Sequence, residues 1–142
     1  MLKKTIISFS LLFCLGYYAS IFIQSFKDDT RDNNFYTEKT LITLNNLRQH
    51  ISNFQKDHQF YPKNLNELIT KKYIKTIPQA KLIKFGHADS SQVLTKNFID
   101  KQLNIKTQLL EDSGNWIYDA ISGKLILDCT HQDSKDRAMY NW

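Results

Sequence analysis

Cysteine, proline and glycine are scarce in this chain of 142 residues, which holds two cysteines, two prolines and four glycines. Cys14 lies in an apolar N-terminal run and Cys129 lies near the C-terminus. If the run crosses a membrane, the two thiols are in different phases, so we expect no disulfide between them. The sequence also lacks a Gly-rich phosphate loop, a Gly-x-Ser-x-Gly motif and a His-Glu-x-x-His motif. We therefore expect that the protein is not an enzyme.

The excess of positive charge is small once its position is considered. The formal net charge is +5, from 19 basic and 14 acidic residues. Lys3 and Lys4 precede the apolar run, and removing them leaves 17 basic against 14 acidic residues, a charge of +3. That balance does not by itself indicate nucleic-acid binding. The length and the hydrophobic fraction of 42% indicate one folded domain rather than a disordered chain.

The N-terminal run from Thr5 to Phe26 contains no charged residue. As a helix it would measure about 33 Å at the usual rise, enough to cross a bilayer core. Basic residues precede it and Asp28, Asp29 and Asp32 follow it, which predicts a single-pass anchor with a cytoplasmic N-terminus. A cleaved signal peptide and a lipoprotein signal at Cys14 are the alternatives. Residues 27–34 are rich in cap and turn formers, so we expect a break or loosened turn before the helix restarts near Phe35 or Tyr36, with a continuous helix as the alternative.

The segment from Leu41 to Pro78 has the clearest periodicity. Apolar residues recur three or four positions apart and predict one face of a helix: Leu41, Leu44, Leu47, Ile51 and Phe54. Pro62 should end that helix. A short helix should follow, with Asn64 as N-cap, Glu67 close to a capping-box position, and Leu65, Leu68 and Ile69 on its apolar side.

The C-terminal part predicts a β-hairpin. Trp116–Tyr118 and Leu125–Leu127 are β-prone and flank a turn over residues 119–124, where Gly123 suits a positive φ. The preceding region is less regular. Residues 81–85 could form a strand, residues 90–99 a helix capped by a serine, and residues 103–109 another strand.

The post-membrane segment and the hairpin resemble type IV pilin-like proteins, above all the pseudopilins of type II secretion. The residues that carry the resemblance are Tyr61, Pro62, Leu65, Leu68, Tyr73, Ile74, Ile77, Pro78, Trp116, Tyr118 and Gly123. The resemblance implies an α+β fold in which a long transmembrane-plus-amphipathic helix packs on a small antiparallel sheet, with a short second helix after the Tyr-Pro corner. Combined with the uncharged N-terminal run, it predicts an anchor over residues 1–26 and a pilin-like periplasmic domain over 36–142. The polar juxtamembrane segment over 27–35 lies between them and departs from the family, in which the membrane helix runs directly into the amphipathic helix.

The same resemblance implies a structural role in a type II secretion or type IV pilus machine of the bacterial inner membrane. Partners would be other pilin-like subunits, with membrane lipid around residues 5–26. We expect subunit contacts along the stripe of Leu41, Leu44, Leu47, Ile51 and Phe54. The family's glycine at the cleavage point and its early glutamate are missing before Asp28, which favours an accessory or divergent subunit. An anchored periplasmic protein outside any filament is an alternative.

A basic stretch supplies another alternative, a pilin-like module that binds DNA. Phosphate contacts need Lys or Arg and base stacking needs aromatics. Both occur together here, as Lys63, Lys71, Lys72, Lys75, Lys81 and Lys84 with Phe60, Tyr61 and Tyr73. We favour a solvated basic face over nucleic-acid binding, because the net charge is small.

Metal-binding patterns are weak in the sequence. His50 and His58 are about two helical turns apart, too far to share one ion. Cys129 and His131 supply at most two ligands where a structural zinc site needs four. Asp128, Asp133 and Asp136 raise calcium as an alternative, but they lack the spacing of a closed calcium loop. We therefore predict no cofactor and no metal ligand.

Overall fold

The computed structural model describes the backbone of residues 2–142 and the side chains of residues 16–25, 27 and 34–142. The fold is α+β. Helix α1 spans Leu2–His58 and helix α2 spans Asn66–Thr70. Strands β1, β2 and β3 span Val93–Thr95, Trp116–Asp119 and Lys124–Leu127. Single 3₁₀ turns lie at Ile83–Phe85, Thr107–Leu109 and Met139–Asn141.

The chain divides into two compact units, Met1–Asn34 and Phe35–Trp142. In the first unit, the described apolar side chains are solvent-exposed, among them Tyr17, Tyr18, Ile21 and Ile23. No helix is long and apolar enough to span a membrane when only the described residues are considered. Much of the predicted anchor lies outside them, since the side chains of residues 5–15 and 26 are not described.

The predicted break over residues 27–34 is wrong, because the backbone is helical throughout Leu2–His58. Weak helix formers cost only tenths of a kcal/mol each, about 0.7 at most, and a helix that is nucleated on both sides propagates through them. The C-terminal end of α1 comes at His58, followed by Gln59 at a φ of 66°. Pro62 therefore lies beyond the helix end.

In the unit Phe35–Trp142, one apolar layer joins α1 to the sheet. Leu44, Leu47, Ile51 and Phe54 are at most 2% exposed and belong to the same core as Leu65, Leu68, Trp116, Tyr118, Leu125 and Leu127. The predicted helix stripe is confirmed for these four residues, and the structure shows that the hairpin covers it. The spacing of three and four residues places these side chains on one face, where the sheet removes them from water.

The sheet is mixed, with the order β1-β2-β3. Strands β2 and β3 pair antiparallel, with Trp116 opposite Leu127 and Asp119 opposite Lys124, which confirms the predicted hairpin. Strand β1 pairs parallel to β2, so the prediction of a purely antiparallel sheet is wrong. The predicted helix over residues 90–99 is also wrong, because residues 93–95 form β1. A third strand satisfies the backbone groups on the outer edge of β2, which a helix there would leave unpaired.

The other two predicted strands are absent as well. Within residues 81–85, Ile83–Phe85 form a 3₁₀ turn that is followed by Gly86 with a φ of 76°, and Thr107–Leu109 is also a 3₁₀ turn. Leu103 and Leu109 are exposed, so the alternating pattern there does not mark a buried face. Ile99 and Ile105 make an isolated antiparallel bridge instead.

The second face of the hairpin is covered by this irregular connection. Ile117 and Ile126 point away from α1 and form a smaller core with Phe98 and Ile99, against which Ile105, Leu110 and Tyr140 pack. Alternate residues of each strand face opposite sides. Both faces of β2 and β3 are therefore buried, which explains why every residue of β2 is inaccessible to solvent.

Candidate functional site

The residues that carry the family resemblance meet in space. Tyr118 Oη donates a hydrogen bond to the Pro62 carbonyl at 2.7 Å, and Trp116 Nε1 donates to the Pro78 carbonyl at 2.9 Å. Pro62 and Pro78 flank α2, so β2 holds both ends of that short segment. Burial raises the pKa of Tyr118, which keeps its hydroxyl protonated as a donor.

Gly123 lies against the Tyr61 ring. Its φ is +71°, and a Cβ built on it would lie 2.3 Å from Cδ1 and from Cε1 of Tyr61. Glycine is required there for two reasons, the left-handed backbone and the close approach of the ring. The Tyr-Pro corner (Tyr61 and Pro62) therefore packs on the turn of the hairpin.

The predicted interaction stripe is mostly occupied by intramolecular packing. Leu44, Leu47, Ile51 and Phe54 lie in the core, while Leu41 is half-buried. A neighbouring residue, Arg48, donates from Nε and Nη2 to the Leu125 carbonyl at 3.0 and 2.8 Å. Contact between this stripe and other subunits stays a prediction.

The basic stretch is largely a solvated surface. Lys63, Lys71, Lys72, Lys75 and Lys84 are exposed, whereas Lys81 forms an ion pair of 3.1 Å with Asp89. An open groove of about 560 Å³ is lined by Ile69, Lys72, Tyr73, Ile74 and Lys75.

The aromatic residues of that stretch are engaged. The Tyr73 and Phe60 rings lie 5.5 and 5.9 Å from the Phe54 ring, and Tyr73 also donates a hydrogen bond to Asp57. These contacts do not favour base stacking, and DNA binding stays a prediction.

Two of the three aspartates that suggested calcium accept several hydrogen bonds, while the third, Asp136, is solvent-exposed. Asp128 is buried and accepts from the backbone N–H groups of Glu111, Asp112 and Ser113 and from the Ser113 hydroxyl. Asp133 accepts from Lys135, Arg137 and Trp142. Calcium needs several free oxygen ligands that converge on one point. These hydrogen bonds leave Asp128 and Asp133 poorly placed to supply them.

A different set of side chains does converge, which we call the His/Asp/Cys cluster: His87, Asp112, Cys129 and His131. Each offers one ligand atom, and these atoms all lie within 4.8 Å of one another. Cys129 Sγ lies 3.5 Å from His131 Nδ1, which is 3.5 Å from Asp112 Oδ2. His87 Nε2 lies 3.7 Å from Asp112 Oδ1. His50 and His58 are not part of this group.

His87 is the unusual member of the cluster. Its side chain is only 8% exposed, and among the described residues its Nε2 is the buried side-chain polar atom that has no hydrogen-bond partner. A distance of 3.7 Å to Asp112 is too long for a hydrogen bond. Gly114 makes room for the ring, since a Cβ there would lie 2.7 Å from His87 Cβ. A buried, unpaired ring nitrogen is costly and calls for a partner.

Backbone hydrogen bonds hold the other members in place. Thr130 N–H donates to Asp112 Oδ1 at 2.7 Å, and the Asp128 carboxylate fixes the loop that carries Asp112. Burial alone would raise the pKa of Asp112, but the hydrogen bond from Thr130 and the nearby His131 and His87 hold it below its ordinary value.

Cys129 is a free, buried thiol, and burial raises its pKa to about 12 in the absence of a cation. Without a positive partner it is therefore a thiol rather than a thiolate. It lies 3.6 Å from Met139 Sδ, which belongs to the apolar core.

The sequence shows Cys129 and His131 as two ligands, which are too few for a site, and gives no indication of His87 and Asp112. Their positions follow no motif spacing, because the loops that bring them together are fixed by contacts with β2 and β3. Comparison of the chain with protein-family models, with curated proteins and with solved structures gave no match.

Proposed function

We propose that this chain is a membrane-anchored, pilin-like structural subunit of a type II secretion or type IV pilus machine. It would lie in the bacterial inner membrane as a single-pass protein, with a cytoplasmic N-terminus and a periplasmic C-terminal domain. The observation that carries the proposal is the assembly of the motif residues into one unit. Tyr118 binds the Pro62 carbonyl, Trp116 binds the Pro78 carbonyl, and Gly123 lies under Tyr61.

These contacts give the Tyr-Pro corner a structural role. The two hydrogen bonds attach the segment 62–78 to β2, and α2 within it contributes Leu68 to the core. The C-terminal half of α1 packs in that same core. The buried face fixes this part of α1 to the sheet, the arrangement that the resemblance implies for a filament subunit.

The mechanism of such a subunit is mechanical. The first unit, Met1–Asn34, exposes Tyr17, Tyr18, Ile21 and Ile23 on its helix. Exposed apolar side chains on a helix pack against lipid or against other helices. Association of this kind needs packing surfaces rather than catalytic groups.

Photo-crosslinking of the full chain in its native membrane tests the proposal. A photoreactive phenylalanine derivative would replace Tyr18, which is 70% exposed in the first unit. Ile121, 75% exposed in the hairpin turn, takes the same probe as a matched control. We expect the Tyr18 probe to form adducts with another copy of the chain or with another protein that carries an N-terminal pilin-like helix, identified by mass spectrometry.

The same membranes give the contradicting outcome. Equal adduct yields from both positions would show random collision rather than helix packing. Recovery of the chain in the soluble fraction, with no adduct from Tyr18, would reject a membrane-anchored subunit.

A further inference from the structure

The geometry points to a zinc site: we propose that His87, Asp112, Cys129 and His131 bind one Zn²⁺ ion. The proposal concerns the unit Phe35–Trp142 and stands independently of a role in secretion or piliation. Its basis is the convergence of four ligand atoms within 4.8 Å and the buried, unpaired Nε2 of His87 that belongs to the same group.

The distances suit a tetrahedral ion. Zinc bonds of about 2.3 Å to sulfur and about 2.0–2.1 Å to nitrogen place neighbouring ligand atoms about 3.3–3.6 Å apart. The distance from Cys129 Sγ to His131 Nδ1 is 3.5 Å, which lies in that range. The two imidazoles lie beside different oxygens of Asp112, His131 at 3.5 Å from Oδ2 and His87 at 3.7 Å from Oδ1, so either oxygen is close to the required spacing from one of them. The widest separation, 4.8 Å, must close by about 1 Å when the ion binds.

The donor set selects the class of ion. Two imidazoles and a thiolate suit zinc and other transition metals, whereas calcium and magnesium require oxygen ligands. Four protein ligands leave no open position for water or substrate, which is the pattern of a structural rather than a catalytic site. Binding converts the Cys129 thiol to a thiolate and releases its proton to solvent, because the thiolate is the form that coordinates a metal.

The surrounding residues orient the ligands. Thr130 N–H donates to Asp112 Oδ1, and the His131 ring packs 5.1 Å from the Phe85 ring. Asp128 fixes the loop that carries Asp112 through three backbone N–H groups. Such outer contacts position ligands in metal sites and contribute to affinity.

The ion would join three segments that are far apart in the chain. His87 follows the first 3₁₀ turn, Asp112 precedes β2, and Cys129 and His131 follow β3. The C-terminal tail returns to this point, since Met139 N–H donates to the His131 carbonyl and Tyr140 N–H to that of Cys129. Zinc would therefore fasten the tail and the connection before β2 to the end of the hairpin.

Metal titration of the full-length, tag-free chain in detergent tests the proposal. The protein is reduced, stripped with a chelator, and then given Zn²⁺ alone or Co²⁺ alone. We expect one Zn²⁺ per chain. We also expect the visible absorption of tetrahedral Co²⁺ together with a sulfur-to-cobalt charge-transfer band. With free Zn²⁺ about 100-fold above its Kd, the unfolding midpoint should rise by about 10 °C.

Matched variants assign the ligands. Cys129→Ser and His131→Gln should each weaken Zn²⁺ binding by at least about 100-fold, beyond the 10–100-fold effect of outer residues. Cys14→Ser and His50→Gln remove the same chemical groups elsewhere and should leave the affinity unchanged. His131 is partly exposed, with 41% of its side chain accessible, so we expect His131→Gln to keep the fold. This variant therefore tests the zinc site even if Cys129→Ser unfolds.

Three results would overturn the zinc site. They are less than one ion bound per chain at saturation, octahedral Co²⁺ without the charge-transfer band, and equal affinity in His131→Gln and His50→Gln.

Discussion

Replacing Gly123 by alanine tests the contact between the hairpin turn and the Tyr-Pro corner. The substitution has two costs. The residue has a φ of +71°, a conformation that is strained for any residue other than glycine. The new methyl group would also lie 2.3 Å from the Tyr61 ring. Gly86 carries only the cost of the backbone conformation, since its φ is +76° and no heavy atom beyond its chain neighbours lies within 4 Å of a Cβ built there.

The two glycines therefore predict different losses of stability. Gly86→Ala should lower the free energy of unfolding by about 1 kcal/mol, the cost of the left-handed backbone alone. Gly123→Ala should carry the same strain and an overpacking term of about 1–2 kcal/mol. We choose the lower part of the overpacking range because Tyr61 is 37% exposed and its ring can turn toward solvent.

Urea unfolding of the full chain in detergent, followed by tryptophan fluorescence, measures both losses. A double-mutant cycle with Tyr61→Ala then separates the contact from the strain. Once the ring is gone, Gly123→Ala should cost only what Gly86→Ala costs, giving a coupling energy of about 1–2 kcal/mol. An equal loss in the two glycine variants, or an excess that survives in the Tyr61→Ala background, would refute the reasoning.

Three further substitutions test single contacts. The Thr40 hydroxyl accepts a hydrogen bond from Lys81 N–H and donates one to the Lys81 carbonyl, and Thr40→Val removes both. The substitution should lower the free energy of unfolding in urea by about 1–3 kcal/mol, and an unchanged midpoint would contradict this. Tyr118→Phe should cost about 1–2 kcal/mol, because it leaves the Pro62 carbonyl unpaired. Since burial raises the folded-state pKa of Tyr118, its contribution is complete below the ordinary value of 10.0 and declines above it, so the wild type should lose more stability in alkali than the variant. His87→Leu should raise the free energy of unfolding of the metal-free chain by about 1 kcal/mol, because it removes a buried nitrogen without a hydrogen-bond partner. It should also abolish the response to Zn²⁺. A less stable metal-free chain would contradict the conclusion that the unbonded nitrogen destabilises the fold.

Local signals were sufficient for the helix stripe and the hairpin. The spacing of Leu44, Leu47, Ile51 and Phe54 is set by the helical period itself, and the turn chemistry around Gly123 fixes the hairpin. The partners of the motif residues were not predictable in this way. Nothing in the sequence indicates that Tyr118 reaches the Pro62 carbonyl, because that contact depends on how the sheet packs on α1.

The connection before β2 was misread for the same reason. Residues 93–95 have enough apolar character for either a helix or a strand, and the available edge of β2 decides in favour of the strand. In α1 the opposite occurred, since residues of low helix propensity at 27–34 did not interrupt the helical backbone. In both cases the neighbouring structure outweighs local propensity: an open strand edge in the first and a continuous helix in the second.

The His/Asp/Cys cluster is the extreme case of a non-local feature. Its ligands lie on three loops, and the loop of Asp112 takes its shape from Asp128, which is itself buried after β3. The only local signal was the Cys-x-His spacing of Cys129 and His131. Two of the four proposed ligands lie in one segment. The other two come from distant loops, so only the folded structure shows that they belong to the same site.

The contact between Gly123 and Tyr61 and the His/Asp/Cys cluster lie at opposite ends of one hairpin. Tyr61 covers the turn beside Gly123, whereas Cys129 follows the open end, where Trp116 pairs with Leu127. A hairpin of two four-residue strands has little stability of its own, so both ends need attachment. Because the attachments share no residue, the energies of Gly123→Ala and of zinc binding should add. A coupling between them would mean that the hairpin shifts as a rigid body between the corner and the cluster, so that zinc binding would be transmitted to the face that packs on α1.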